Sequence, residues 1–169
     1  MTAEFIRLST LEFAKVQFYS VRIEGKKHSE FRDFNIRMGQ GERNLLELAD
    51  INRYIKQIGQ KYGAQKRFFR DEASAEALPP PSHQFIESDH YGDFGLRLYC
   101  IRLCSTIVVL LNGDRKTALT AQNCPNCAPH FRIANKISNQ ITTAITDGYI
   151  HMDIERMRLD IDEDFELVI

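Results

Sequence analysis

"GLRLYCIRLCSTIVVLLNGDRKTA", residues 95–118, reads as two strands joined by a tight turn, with a polar stop over residues 112–117. Aliphatic and aromatic residues fill both halves, the composition of a pleated, packed surface. Alternation sets Leu96, Leu98 and Cys100 on one face of the first strand and Arg97 and Tyr99 on the other. The second strand ends in Arg115-Lys116-Thr117. Either these cations are a solvated strand end, or they are aimed at something anionic.

Helical periodicity flanks this ribbon. In residues 28–38, Ser29 is an N-cap candidate, and Phe31, Phe34 and Met38 share one face. Over residues 42–63, Leu45, Leu48, Ile51, Ile55, Ile58 and Tyr62 recur at three- and four-residue spacing, and Gly63 supplies a stop. After the ribbon, Phe131, Ala134, Ile137, Ile141 and Ile145 predict a third helix closed by Gly148. Residues 13–27 predict a strand turning at Glu24-Gly25, and residues 157–169 a short terminal hairpin. Pro79, Pro80 and Pro81 predict a break within residues 70–88. Helices massed before a meander predict an α+β domain, helices on one sheet face and the other face free.

With 169 residues, 43 % apolar and 27 % charged, the chain suits one globular domain with a real core. Its longest wholly apolar run, residues 107–111, is too short to cross a membrane, and the N-terminus lacks the pattern of a secretory signal. Four cysteines without such a signal predict reduced thiols and a cytoplasmic protein. The net charge of −1 hides a division. Residues 150–169 carry seven acids against Arg156 and Arg158, leaving residues 1–149 at +4. The expectation is a mildly basic domain over residues 1–149 with an acidic extension over residues 150–169. Folding of residues 160–166 back over the basic patch is one role open to that extension.

Two amphipathic helices, a proline-containing connection, then Leu96, Arg97, Tyr99 and Arg102 on one strand and Ile107, Leu110, Arg115, Lys116 and Thr117 on the next resemble the RelE/HigB-like toxins of bacterial toxin–antitoxin systems. The similarity spans roughly residues 28–148, and its specific part is residues 95–117. Arginine stands at position 115 where the family pattern has lysine, and this chain is longer and less basic than the ribosome-dependent members. The resemblance implies a small twisted antiparallel sheet with two helices on one face, here with an extra N-terminal strand. It implies an mRNA endoribonuclease (a hydrolase by class) working at the ribosome, with no cofactor and with a cognate antitoxin, of helix-turn-helix type, as partner. Relatives that bind gyrase, and others without activity, make a non-catalytic binding protein of the same fold one alternative, and a zinc-stabilised interaction domain built around Cys124 and Cys127 is another.

Cleavage by a neighbouring 2′-hydroxyl needs a proton acceptor, charge opposite the phosphorane, and a proton for the leaving 5′ oxygen. Arg97 and Arg115 suit the phosphate, Lys116 the base or charge role, and Tyr99 stacking or proton transfer. His90, beside Tyr91, is a candidate acid or base, although its setting also reads as an exposed turn. Lys66, Arg67 and Arg70 interleave with Phe68 and Phe69, as at an RNA-contacting edge or around a core-anchoring aromatic pair. Cys124, Cys127 and His130 offer three soft ligands for zinc, one short of a structural site. A redox role wants a βαβ setting, so plain loop cysteines are the default.

Overall fold

The computed structural model describes residues 1–81 and 94–169. Nine strands and three α-helices occur among the described residues. In chain order the elements are β1 (Thr2–Glu12), β2 (Gln17–Ile23), α1 (Glu30–Met38), α2 (Glu42–Gln57), β3 (Arg70–Glu72), β4 (Ala75–Leu78), β5 (Gly95–Cys104), β6 (Ile107–Lys116), α3 (Ala128–Thr146), β7 (Ile150–Asp153), β8 (Arg158–Ile161) and β9 (Leu167–Val168). Seven strands form one sheet in the order β3-β4-β5-β6-β2-β1-β9, and β7 and β8 pair separately. Every pairing is antiparallel except β2 with β6, which is parallel. The α+β class read from the sequence is the observed one.

The β5–β6 ribbon is the centre of the sheet. Its register sets Gly95 opposite Lys116, Arg97 opposite Asp114 and Leu98 opposite Gly113, with a shift between Leu98 and Cys100. Close approach at this shift requires glycine, because a Cβ on Gly113 would lie 1.7 Å from the Arg97 carbonyl oxygen. Helix α1 begins where expected: the Ser29 hydroxyl accepts from the Arg32 N–H at 3.2 Å. Helix α2 runs into a π-helical turn, Ile58–Tyr62, and stops at Gly63 with φ +77°. Both helices bury one stripe, Phe31, Phe34 and Met38 with Leu48, Ile51 and Tyr54, against Phe18, Leu96, Leu98, Val108 and Leu110.

The opposite sheet face is not free. Helix α3 lays Phe131, Ala134, Ile137 and Ile141 over Tyr99, Ile101, Val109 and Leu111. The reason lies in the ribbon: β5 and β6 are apolar at consecutive positions, so both faces must be covered. Within the 70–88 segment, β3 and β4 form a hairpin that the sequence reading did not give, ending at Leu78 directly before Pro79, and residues 82–88 lie outside the described residues. Within residues 150–169, β7 and β8 pair as a hairpin. β9 pairs with β1, and Leu167 is 1 % exposed. That edge is opposite the one formed by β3.

Candidate functional site

The polar residues that gather deepest in the fold lie on the α3 face of β3, β4 and β5. The β3–β4 register, Arg70 with Ala77 and Glu72 with Ala75, puts Arg70 and Glu72 beside two alanines. Ala77 in turn pairs with Tyr99 on β5. Small side chains at 75 and 77 leave volume for long ones, and Arg97 and Tyr99 occupy this side at 1 % and 0 % exposure. Lys116, at the end of β6, is 8 % exposed on the same side. The Arg97 guanidinium donates to the Leu96 carbonyl at 3.0 Å. Arg70 donates through Nε to the Pro79 carbonyl at 2.8 Å, which ties β3 to the first proline.

These groups act on one another. Burial, then the adjacent Arg70, lowers Arg97 to about 10, opposed by Glu72; the guanidinium stays charged at neutral pH. Burial raises the Glu72 carboxyl above its usual range, although Lys116, Arg97 and Arg70 all pull it down. The Tyr99 phenol is pushed well above its ordinary value by burial and by the neighbouring Cys127 and Glu72. It therefore stays protonated and is a donor, not a base. Its hydroxyl, beside the Cys127 thiol, makes no hydrogen bond of normal geometry among the described residues.

Cys124 and Cys127 lie under the end of β6 and are fully buried. Their sulfurs donate to the Arg115 and Asp114 carbonyls, each at 3.6 Å. Burial raises Cys127 to about 12. Burial also raises Cys124, but hydrogen bonds from Thr117 and Cys127 outweigh it and bring the thiol to about 7. Among the described residues no group of three His, Cys, Asp or Glu side chains is arranged to hold a metal, so Cys124, Cys127 and His130 do not assemble as zinc ligands.

Of the sequence candidates, the structure brings together Arg97, Tyr99, Lys116 and Arg70. The expectation that Arg97 and Tyr99 look out from a bare surface is corrected: the first turn of α3 covers them, and the Tyr99 and Phe131 rings meet edge-on at 6.1 Å. Arg115 is on the other face. It forms an ion pair with Glu47 and hydrogen bonds to Asn44, since it is one residue out of phase with Lys116. Lys66 and Arg67 are exposed and flank Phe68 and Phe69, which are core residues at 1 % and 5 % exposure. This is the aromatic-anchor arrangement. His90 and Tyr91 lie outside the described residues.

Glu72 is the site residue that sequence reasoning misses. The available signal was the alternation of Arg70, Glu72, Ala75 and Ala77 around a two-residue turn, masked by the prolines that follow. A second polar group lies where β6 runs past its last pairing with β2. There the Asn112 amide donates to Glu30 at 3.1 Å and to Asp33 at 2.8 Å, and Arg37 donates to Asp33, Asp114, Asn112 and the Gly113 carbonyl. Burial raises Asp33, yet its bonds from Asn112 and Arg37 outweigh that and hold it below the usual range. Its donors and acceptors answer one another, so this network clamps α1 to β6.

Searches of family models, curated proteins and solved structures find no match to this chain.

Proposed function

We propose that the chain is the toxin component of a toxin–antitoxin pair, of the RelE/HigB-like kind, and acts as a metal-independent, ribosome-dependent mRNA endoribonuclease. The observation that carries this reading is the convergence of Arg70, Arg97, Lys116, Tyr99 and Glu72 at one end of one sheet face. Those groups match the needs of 2′-hydroxyl attack. Glu72, a carboxylate raised by burial, takes the 2′ proton. Arg97 and Arg70 oppose the phosphorane charge, and Lys116 or the protonated Tyr99 serves the leaving oxygen. A helix-turn-helix antitoxin, the ribosome and mRNA are the partners in this reading, and the cytoplasm its place. Among the described residues no helix is long and apolar enough to cross a membrane.

Burial of Arg97 and Tyr99 beneath α3 favours a second reading, a binding protein of the same fold without cleavage chemistry. Expression of the chain alone separates the two. The first reading expects growth arrest and cuts within translated codons, both lost in Lys116→Ala and Glu72→Gln variants that melt no lower than the parent. Absence of cuts in the parent, or cuts that persist in both variants, removes the cleavage reading.

A further inference from the structure

A groove of about 430 Å³ lies between β1 and the start of α1, on the side of the sheet away from the Arg97 cluster. Five of its lining residues are Arg7, Arg22, Lys27, His28 and Arg32, and none of its lining residues is acidic. Two features of the fold create it. Pairing of β1 with β2 lapses between Arg7 and Glu12, which opens space beside α1. The acids in the first turn of α1 are also directed elsewhere: Glu30 to Lys26 and Asn112, Asp33 to Asn112 and Arg37. Arg22 is paired with Glu4. Arg7, Lys27 and Arg32 are exposed and have no ion pair among the described residues.

We propose that this groove binds the phosphodiester backbone of single-stranded RNA. Several unneutralised cations along one open channel are the footprint of a polyanion. The floor argues against an acidic amphipathic peptide. Ile6 and Leu8 are half-buried and Phe31 is 8 % exposed, so the floor offers only partial apolar contact and no deep pocket for an anchoring side chain, while the exposed charge is all cationic. RNA rather than DNA rests on the function proposed above; the anion chemistry of the groove does not. The groove is built in part from β1, which lies outside the residues that carry the toxin resemblance.

Fluorescence anisotropy of labelled oligo(U) over a salt series tests this on the full chain. The parent binds, and the Arg7→Ala/Lys27→Ala/Arg32→Ala variant binds at least about tenfold more weakly. Its plot of log affinity against log salt is shallower by about 2, from roughly 0.7 per phosphate contact on a single strand. All three positions are exposed, and an unchanged melting curve shows that the fold is kept. Equal affinity and slope in the two proteins overturn the proposal. Equal binding of oligo(dT) overturns the assignment to RNA, and binding of polyglutamate without oligo(U) overturns it in favour of an acidic protein. Lys116→Ala tells the two sites apart: it loses cleavage and keeps oligo(U) binding. Loss of the groove result with growth arrest intact sinks the groove alone.

Discussion

Adjacent residues at the end of β6 meet opposite environments. Arg115 points to the α2 side, where Glu47 pairs with its guanidinium and Asn44 accepts from it, both members of the ion pair being largely buried. Lys116 points to the α3 side, where it acts with Arg97 and Arg70 on the Glu72 carboxylate. The α2 side is a closed ion pair. On the α3 side the carboxyl is raised rather than lowered, because burial outweighs three cations. A raised carboxylate in a cationic cluster is suited to proton transfer, whereas a matched pair only fastens α2 to the ribbon.

The sharpest way to break that contrast is at Gly113, on which the placement of Arg97 depends. Gly113→Ala drives a Cβ into the Arg97 backbone, and urea unfolding should report a loss of about 3 kcal/mol. Next, Glu47→Ala strands Arg115 and should cost about 2 kcal/mol in the same measurement. Arg97→Met should cost under about 1 kcal/mol, since it exchanges a buried charge for an apolar chain of similar length, while any RNA cleavage disappears. A large loss of stability in Arg97→Met would make Arg97 a structural residue like Arg115.

Two smaller effects are set by pH. The folded Glu72 carboxyl titrates above its unfolded value, so its favourable contribution is present at low pH and is lost as pH rises through the folded pKa. Glu72→Gln should therefore raise the melting temperature relative to the parent at neutral pH and not at pH about 4, near the unfolded carboxyl value. Equal shifts at both would remove the raised carboxyl. Smallest, the ultraviolet absorbance of the Cys124 thiolate should grow with a midpoint near 7, and Cys124→Ser should abolish that step. A midpoint at the ordinary thiol value would mean that the bonds from Thr117 do not act on it.

Much of the fold was legible because its signals are local. Ser29 caps α1, Gly63 ends the helical run after α2, and the stripe from Phe131 to Ile141 packs as its spacing requires. β1 was missed because its alternating Thr, Ser and charged residues cover a half-exposed strand without a solid apolar face. β3 and β4 were missed because three- and four-residue strands carry almost no periodicity, and the prolines beside them dominate the reading. For the site, alternation along β5 correctly put Arg97 and Tyr99 on the face opposite Leu96 and Leu98. It gave no means to separate Arg115 from Lys116, because the register across the ribbon decides which of them faces α3.

Local chemistry along the chain determined the two-stranded ribbon, the three helices and the α+β class, since caps, stops and apolar spacing act within a few residues of one another. Tertiary structure alone decided that α3 closes the second sheet face, that β9 returns to β1, and that Glu72 comes to Arg97. Each of those depends on contacts between segments far apart in sequence. Burial and charge there are fixed by which surfaces meet, and no single segment encodes that.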